Sequence, residues 1–443
     1  MWHEQLYNIL NTINMVILNI IGLPFLIQII YMLFGWLKKK TFKRSEKKSR
    51  ACFLICAHNE EDVIFNTVDR LFKKLNYPRE LFDVYVVAHN CNDNTAELAK
   101  KAGATVFVYN DPDPKTHFLS YSVRYGFNAI SKLDKKYDFL IKIDADNYVN
   151  DDFLLYMNDA YNSGVKFARA YESALNITQN VYTKASGLYY AYDSRFASRV
   201  RERFHLAAHV NGAGCMFAME LVEKYGYDAK GLSDDMEYLC NRMIHDKIYG
   251  HFVEDAVVYE DLPSTLKDTY ARNKRIGYGV SRLFFTHGFR LIGKFFVTFN
   301  FSYLEVFLQL LFCMICAVLC TWIPLYYIYD IVYLILAANG VIETTLQTSA
   351  EYMQVLNTTW IVIVAALSIL FAFAGLLQAF FLVQSDYKKL GCRKRRELTS
   401  GILMYPLFVI VYVATLCIGI FSKPNWRAVK RNKVSNTFDT SGK

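Results

Sequence analysis

The residues whose types could do chemistry begin with two carboxylates separated by one residue. Asp144 and Asp146 follow directly on a largely apolar run, Phe139–Ile143, that has the composition of a buried strand. Carboxylates at the end of a strand form a hard, oxygen-rich corner that Mg²⁺ or Mn²⁺ prefers, and they leave coordination positions for phosphate oxygens. An isolated Asp-x-Asp is common, so the position after a buried strand is what favours a metal site here.

A second pair of carboxylates, Asp234 and Asp235, precedes a predicted helix. They could cap that helix, with Ser233 or Asp234 as the N-cap and Glu237 completing a capping box. Alternatively, one of them could be a general base that deprotonates a hydroxyl nucleophile. The two roles are compatible, because the first turn of a helix is a good place to fix a catalytic carboxylate.

Basic side chains are concentrated in the segment Tyr270–Gly279, which contains Arg272, Lys274 and Arg275. Near a metal–phosphate site, such residues would neutralise a departing diphosphate. A basic patch that faces the membrane is a competing interpretation of the same segment. The residues alone leave both interpretations open.

The elements that must position these residues alternate between strands and helices. The hydrophobic pattern predicts strands at Ala51–Ala57, Phe82–Ala88, Thr105–Tyr109 and Phe139–Ile143, and helices at Asp62–Leu75, Thr95–Ala102 and Phe118–Leu133. This alternation predicts an α/β fold with a mostly parallel, doubly wound sheet. Ligands in such sheets bind beyond the carboxyl ends of the strands, where the acidic pairs lie.

The composition indicates a membrane protein with one large soluble domain. Of the 443 residues 53% are hydrophobic, which excludes a disordered chain, while 21% are charged and the net charge is +9. A membrane-spanning helix needs about 20 consecutive apolar residues. Four stretches without any charge reach this length: Gln5–Leu37, Val306–Tyr329, Tyr352–Ser385 and Leu398–Ser422.

The basic residues beside these stretches predict the topology. The cluster in Lys38–Arg50 and another in Lys388–Arg396 mark the cytoplasmic side by the positive-inside rule. The first stretch lacks a preceding basic segment, so we expect an anchor rather than a cleaved signal peptide. We therefore expect a multi-pass protein of the plasma membrane with a cytoplasmic catalytic domain. The side on which the basic tail after Ser422 lies stays open.

These patterns divide the chain into three regions. Residues 1–50 form an N-terminal transmembrane anchor and a basic linker, 51–280 a catalytic domain, and 281–443 an interfacial helix, C-terminal transmembrane helices and a basic tail. Ser281–Asn300 reads as a basic amphipathic helix in the membrane interface, with an ordinary surface helix as the alternative. Because the basic excess lies at the membrane exits and near the proposed diphosphate site, we expect membrane lipids and a phosphorylated donor as partners, and no nucleic acid.

Several of these motifs occur together in one known family. The chain resembles the family 2 membrane glycosyltransferases, the group of cellulose, hyaluronan and poly-N-acetylglucosamine synthases. The resemblance covers about 53–279 and follows the family's order. Its segments are Cys56–Glu61, His89–Thr95, Asp144–Asp146, Ser233–Asp235 and Arg272–Ile276, with a tail motif at Lys423–Arg427.

The resemblance implies a glycosyltransferase-A (Rossmann-like) domain that performs inverting transfer from a nucleotide-diphospho-sugar, most often UDP-linked, with Mg²⁺ or Mn²⁺ as cofactor. It implies that Asp235 is the base and that Asp144 and Asp146 bind the metal. The implied donor-binding residues are Asn59, Glu60, Asp93, Lys115, Asp144, Arg272 and Arg275. The implied acceptor side comprises Gly212, Gly214, Asp234 and Ile276.

The chain also departs from the family's pattern. His89 stands where most relatives have Asp, which implies altered nucleotide recognition. Asp234 is a mild change from the usual Glu before the base. Arg272 and Ile276 stand where relatives have Gln and Trp, respectively. In polymer-forming relatives this Trp stacks on the acceptor sugar, so its loss argues against processive synthesis.

Three functions therefore stay open. The first is elongation of a polysaccharide, with secretion through the protein's own membrane helices and accessory polysaccharide-export proteins as partners. The second is a single transfer to a lipid-linked or other membrane acceptor. The third is a non-catalytic scaffold in a polysaccharide assembly complex, against which the acids at Asp144, Asp146 and Asp235 argue. The sequence does not specify the sugar, the linkage or the acceptor, because pocket shape determines them.

Overall fold

A central β-sheet organises the soluble part of the chain. The computed structural model describes residues 5–14, 16–17, 31, 33–113, 116–210, 212–339, 341–342 and 375–422. The strands are β1 (Ala51–Ala57), β2 (Phe82–His89), β3 (Thr105–Tyr109), β4 (Phe139–Asp144), β5 (Tyr148–Val149), β6 (Phe167–Ala174), β7 (Cys215–Ala218) and β8 (His251–Glu260). They form one eight-stranded sheet in the order β3-β2-β1-β4-β7-β6-β8-β5.

The sheet is mixed, which corrects the expected mostly parallel arrangement. Strands β3, β2, β1 and β4 are parallel neighbours, as predicted. Strand β7 runs antiparallel to both β4 and β6, and β5 runs antiparallel to β8. The chain enters β7 from a turn in which Gly212 and Gly214 both have positive φ.

The helices cover the sheet and continue toward the apolar segments. They are α1 (Ile64–Lys74), α2 (Thr95–Lys101), α3 (Leu119–Ser131), α4 (Phe153–Asn162), α5 (Val181–Tyr192), α6 (Arg199–Arg203), α7 (Met219–Tyr225), α8 (Asp234–Asn241), α9 (Leu266–Leu283), α10 (Phe289–Thr298), α11 (Phe301–Ala338) and α12 (Thr399–Ile420). The three predicted helices in the first half, α1 to α3, are confirmed to within two residues at each end.

Helices pack on both faces of the sheet, each with its apolar side toward the strands. On one face, Ile64, Val68 and Leu71 of α1 pack against alternate residues of β1 and β2. On the other face, Val123 and Phe127 of α3 pack against the remaining residues of the same strands. Strand β1 is fully buried as a result, which explains its uninterrupted apolar sequence.

Two described helices are long and apolar enough to cross a membrane, over Phe301–Tyr333 and Arg395–Ile420. The first contains the predicted span Val306–Tyr329. Beyond this span, α11 continues through Ala338. Residues 15, 18–30 and 32 of the stretch Gln5–Leu37, most of Tyr352–Ser385 and the tail after Ser422 lie outside the described residues.

Helix α12 lies against the soluble domain along its whole length. Its Tyr412 ring packs at a tilt against that of Tyr189 on α5, with the ring centroids 4.4 Å apart. Its Thr415 hydroxyl accepts a 2.7 Å hydrogen bond from the Asn273 amide on α9. A Cβ added to Gly277 of α9 would lie 2.1 Å from the carbonyl oxygen of Leu416, so only glycine allows this approach. The apolar helix is thus closely packed against α9, which carries the predicted basic motif.

The predicted interfacial segment Ser281–Asn300 is mainly helical but not one separate helix. Helix α9 runs through Leu283, a π-helical turn follows, and α10 begins at Phe289. Phe285, Phe289 and Phe296 are 64–66% exposed, whereas Leu291 is buried. The segment therefore presents large apolar side chains outward, as an interfacial helix does.

Candidate active site

The Asp144–Asp146 turn lies at the carboxyl end of β4, beside the ends of β1 and β2. The backbone N–H of Asp144 donates a 2.8 Å hydrogen bond to Oδ1 of the buried Asn147. The Asn147 amide in turn donates a 3.3 Å bond to Oδ1 of Asp146. Asp144 is half-buried, and Asp146 is buried and lines a small cavity that Asp62 and Asp261 also line. One asparagine thus fixes the turn that carries both carboxylates.

The donor set at this turn fits a divalent cation. Two carboxylates of the same turn offer hard oxygen ligands, as Mg²⁺ and Mn²⁺ require. Within the described residues, no group of three or more His, Cys, Asp or Glu side chains is arranged to hold a metal. A cation held by these two carboxylates would have coordination positions open to water or phosphate oxygens.

The carboxylate of Asp235 is buried and bound from two sides. Its Oδ1 accepts a 2.6 Å ion-pair hydrogen bond from Nζ of Lys142, and lies 3.1 Å from the Tyr227 hydroxyl. The same hydroxyl lies 2.9 Å from Oδ2 of Asp234. Lys142 is on β4, two residues before Asp144, so the two side chains lie on one face of the strand. The two acidic motifs of the sequence are therefore joined through Lys142.

The surroundings of Asp235 make it suited to act as a base. Burial raises its pKa to about 7, with Asp234 and Asp144 acting in the same direction and the Lys142 ammonium opposing them. Burial alone would lower the pKa of Lys142, but the carboxylates of Asp235, Asp234 and Asp144 outweigh it and raise that pKa well above its usual value. A carboxylate with a pKa near neutrality can both accept and release a proton at physiological pH.

The capping box predicted at the start of α8 is wrong. Ser233 is the N-cap residue, but its side chain makes no capping hydrogen bond. Oε2 of Glu237 instead accepts the backbone N–H groups of Gly231 at 2.6 Å and Lys230 at 3.2 Å. Glu237, in the first turn of α8, thus binds the backbone of the loop that leads into the helix.

The glycine turn lies directly over Lys142. Its Gly214 N–H donates a 3.0 Å hydrogen bond to the Lys142 carbonyl, and the Gly212 carbonyl lies 3.3 Å from Nζ of the same residue. A Cβ on Gly214 would lie 2.9 Å from Cβ of Ala170. This contact and the φ of +72° require glycine at 214. The turn predicted on the acceptor side is therefore next to Asp235.

The arginines of α9 differ in their environments. Arg272 binds Glu260 at two points, Nη1 to Oε1 at 2.9 Å and Nη2 to Oε2 at 3.1 Å, and lies over the Tyr190 ring. Arg275 is exposed and makes no ion pair with any residue that the structure describes. Local desolvation and the charge of Arg272 lower the pKa of Arg275, whereas the charges of Asp144 and Asp234 act in the opposite direction, so its guanidinium lies near the acidic site. Ile276, beside it, is half-buried.

The loops after β1 and β2 bring the predicted nucleoside-side residues together. Oδ1 of Asn59 accepts the Asn92 N–H at 2.8 Å, and the Glu60 N–H donates to the Thr95 hydroxyl at 2.8 Å. Asp93 accepts the backbone N–H groups of Thr95 at 3.0 Å and Glu61 at 3.2 Å. Asn59 and Asp93 therefore tie one loop to the other. Lys115 lies outside the described residues.

His89, the departure from the family's Asp, is buried at the end of β2. Its ring stacks on that of Tyr109 at 4.8 Å, and its carbonyl oxygen bonds with Nδ1 of His58 at 2.8 Å. Burial, assisted by the neighbouring His117 and His58, lowers its pKa to about 4. A neutral aromatic ring therefore occupies a position where relatives carry a negative charge.

Sequence reasoning missed Lys142 and Tyr227. A signal for Lys142 was present, because it is the one charge in the run Phe139–Ile143, and a charge in a buried strand needs a partner. Tyr227 had no such signal, because it follows α7 in an ordinary polar loop and reaches Asp234 and Asp235 only through the folded chain.

The chain is similar to several known proteins. The family model described as "Glycosyl transferase family group 2" matches residues 139–420. The probable glycosyltransferase YdaM of Bacillus subtilis (strain 168) is 25% identical over 289 residues, which are 61% of this chain and 66% of YdaM, just under two thirds of that relative.

Solved structures show the fold. The mannosyltransferase PcManGT from Pyrobaculum calidifontis, in complex with GDP-Man and Mn²⁺, superposes with a TM-score of 0.51 at 13% identity, covering 89% of this chain and 98% of that chain. Glucosyl-3-phosphoglycerate synthase from Mycobacterium tuberculosis, with Mn²⁺ and UDP, covers 54% of this chain and 80% of that chain at 13% identity and a TM-score of 0.35.

The architecture is thus that of a glycosyltransferase-A-like α/β fold with a mixed sheet. The matched range of the family model begins at β4 and ends with α12, and therefore includes the acidic motifs, the glycine turn and the basic helix. The match extends over more than half of the chain's residues, so the chain belongs to glycosyl transferase family group 2.

Proposed function

We propose that the chain is a membrane-bound inverting glycosyltransferase that uses a nucleotide-diphospho-sugar, most often UDP-linked in the family it resembles. The observation that carries the proposal is the buried Asp235 carboxylate, which Lys142 joins to the strand that ends in Asp144. A base, a candidate metal corner and Arg275, which makes no ion pair with the residues that the structure describes, are the groups that transfer from a diphosphate donor needs.

In the proposed reaction, Asp235 takes the proton from an acceptor hydroxyl while the hydroxyl oxygen attacks the anomeric carbon. The bond from that carbon to the diphosphate oxygen breaks on the opposite face, so the anomeric configuration inverts. Arg275 neutralises the charge that develops on the departing nucleoside diphosphate. A divalent cation bound by Asp144 and Asp146 would supply further charge neutralisation there.

The donor side of the proposal combines the loops after β1 and β2. Asn59, Glu60 and Asp93 are assigned to the nucleoside side, and Lys115 to the diphosphate. Arg272 was expected to bind the donor directly. Its two-point pair with Glu260 supports an indirect role, because a guanidinium held by a carboxylate has less positive charge to offer a phosphate.

We assign Gly212, Gly214, Asp234 and Ile276 to the acceptor side, and polysaccharide elongation is the first candidate reaction. The contact between α9 and α12 supports it, because the proposed site then adjoins the apolar segments through which a polymer would leave. A single transfer to a lipid-linked or other membrane acceptor is the second candidate. Ile276 favours it, because an aliphatic side chain offers no flat ring on which a sugar can stack.

The membrane part of the proposal keeps the three regions 1–50, 51–280 and 281–443. The exposed Phe285, Phe289 and Phe296 would enter the lipid interface, with Arg290 and Lys294 among the headgroups. The catalytic domain would face the cytoplasm from the plasma membrane. Lipids, the acceptor and accessory polysaccharide-export proteins would be the partners.

The experiment that tests the proposal is transfer of radiolabelled sugar by the purified full chain in lipid. A panel of UDP- and GDP-sugars with Mn²⁺ is offered, and the product is sized. The proposal predicts transfer from at least one donor, and Asp235→Asn is the matched inactive control. Products longer than one added sugar support elongation, and products of one sugar support the second candidate. No transfer from any donor, with a folded protein, would contradict the function.

A further inference from the structure

Lys142 makes more contacts at the candidate site than its position in a strand requires. Its side chain is 1% exposed. Nζ donates to Oδ1 of Asp235 at 2.6 Å and lies 3.3 Å from the Gly212 carbonyl. Its backbone carbonyl accepts the Gly214 N–H at 3.0 Å. One residue thus bonds to the proposed base and to two positions of the glycine turn.

The fold alone does not explain a charge at this position. Burying an ion pair costs desolvation of both groups, and an apolar side chain of similar volume is often equally stable. Methionine has nearly the length of lysine and would fill the same space between β1 and β7. The lysine therefore contributes something that packing does not, and its directed hydrogen bonds are the candidate.

The hydrogen bonds to Asp235 are made to one oxygen. Lys142 and Tyr227 both bind Oδ1. Oδ2 of Asp235 receives no hydrogen bond from any residue in the described part of the chain. A carboxylate held by one oxygen has a fixed plane, so the direction in which its other oxygen points is fixed as well.

We propose that Lys142 is a positioning residue for sugar transfer. It fixes Oδ1 of Asp235 and the glycine turn in one arrangement, so that Oδ2 is presented to the acceptor hydroxyl that lies over the turn. This inference rests on the proposed function, since it assumes that Asp235 is the base. It adds a residue that the acidic motifs of the sequence do not include.

The first test is Lys142→Met. The matched control is Lys166→Met, because Lys166 directly precedes β6, is exposed and forms an ion pair with Glu220. We expect kcat for sugar transfer to fall about 100-fold, while the dissociation constant of the nucleoside diphosphate with Mn²⁺ changes less than about threefold. Methylamine added to Lys142→Ala should restore at least about tenfold of the lost rate, because it can enter the vacated space and bind Oδ1. A purely structural lysine would give neither the split nor the rescue.

The second test remains informative if Lys142→Met does not fold. In an Asp235→Asn background the buried carboxylate is already neutral, so removal of the lysine leaves no unpaired charge. If Lys142 acts through Asp235, the residual kcat of the double variant equals that of Asp235→Asn within about threefold. A further loss as large as about 100-fold would show that the lysine acts independently of Asp235, and would overturn the inference.

The outcomes separate this inference from the proposed function. Transfer by the wild-type chain together with an unchanged kcat in folded Lys142→Met would overturn the positioning role and leave the function intact. Absence of transfer by the folded wild-type chain would overturn the function itself. A loss of kcat in Lys142→Met with unchanged nucleotide affinity, and amine rescue of Lys142→Ala, would support both.

Discussion

Arg272 and Glu260 form a two-point ion pair that joins the second turn of α9 to the end of β8. The pair is nearly buried, with side chains 17% and 14% exposed. Glu172 lies close by, and burial together with the Glu260 charge raises its pKa to about 8. The guanidinium of Arg272 is therefore a neutralising group within the protein, whereas Arg275 of the same helix is exposed.

This difference predicts that the two arginines fail in different ways when replaced by alanine. Arg272→Ala leaves buried carboxylates without their cation and should cost about 3 kcal/mol of unfolding free energy. Arg275→Ala should leave the melting temperature unchanged and reduce kcat/KM for the donor about 10- to 100-fold, because only the charge on the leaving diphosphate loses a partner. Melting curves and donor kinetics on both variants check this. Equal losses of stability in the two variants would contradict the assignment.

The pKa of Asp235 predicts a rate that rises with pH. A base must be deprotonated, and a pKa of about 7 means that the active fraction falls as pH drops through neutrality. We expect kcat/KM at pH 6 to be about tenfold below its value at pH 8. The dependence of kcat/KM on pH for the wild-type chain measures this. The donor should be one whose diphosphate stays fully ionised over the whole pH range. A rate that is constant from pH 5.5 to 8 would show that Asp235 does not limit transfer.

Tyr227→Phe refines the same measurement. The Tyr227 hydroxyl donates toward Oδ1 of Asp235 and so favours the charged form of that carboxylate. Its removal should raise the pKa of Asp235 and move the rising limb of the kcat/KM–pH profile to higher pH. The plateau of the profile would then begin at a higher pH than in the wild-type chain. Phe284→Leu, a change in a buried aromatic of the π-helical turn, serves as the control for packing. A limb that moves to lower pH would contradict the hydrogen-bonding role.

Metal removal should weaken donor binding at the Asp144–Asp146 turn. After chelation, we expect the affinity for nucleoside diphosphate to fall at least about tenfold and to return with Mn²⁺. Asp146→Ala should abolish this metal dependence, whereas Asp62→Ala, which removes another carboxylate of the same cavity, should retain it. Titration calorimetry with and without Mn²⁺ measures both. Retained metal dependence in Asp146→Ala would show that the metal binds elsewhere.

The close approach of α9 and α12 predicts a strong effect of a single methyl group. Gly277→Ala places a Cβ 2.1 Å from the Leu416 carbonyl oxygen, so the two helices must separate. We expect a loss of about 1–3 kcal/mol of unfolding free energy, as for other overpacked sites. Gly293→Ala on α10, where no atom lies within 4 Å of the added carbon, should be neutral or stabilising. Thermal melting in detergent compares them, and equal melting temperatures would contradict this packing.

The first half of the domain was predictable because each element there carries its own signal. Strand β1 is apolar throughout since both of its faces are covered, and α1 has buried residues at Ile64, Val68 and Leu71, one helical turn apart. The second half was not, because β5 has two residues and β7 four, too few to show a period. Their antiparallel partners lie far along the chain, since β5 pairs with β8 and β7 pairs with β4 and β6.

At the candidate site, the acidic residues were predictable and their connections were not. Asp144, Asp146 and Asp235 stand out by type and by position after strands or before helices. The ion pair between Lys142 and Asp235 joins positions far apart in sequence, and no local pattern encodes it. The partner of Arg272 could not be predicted for the same reason. Glu260 is the last residue of β8, and its contact with Arg272 depends on how α9 packs beside that strand.

The most direct test of the central claim is transfer of labelled sugar by Asp235→Asn compared with the wild-type chain, both purified in lipid and offered the same donor. Asparagine preserves the size of the side chain and removes the base, so we expect kcat to fall at least about 1,000-fold while nucleoside diphosphate still binds. A variant that transfers sugar at the wild-type rate would show that Asp235 is not the base, and the account of the site built around it would be wrong.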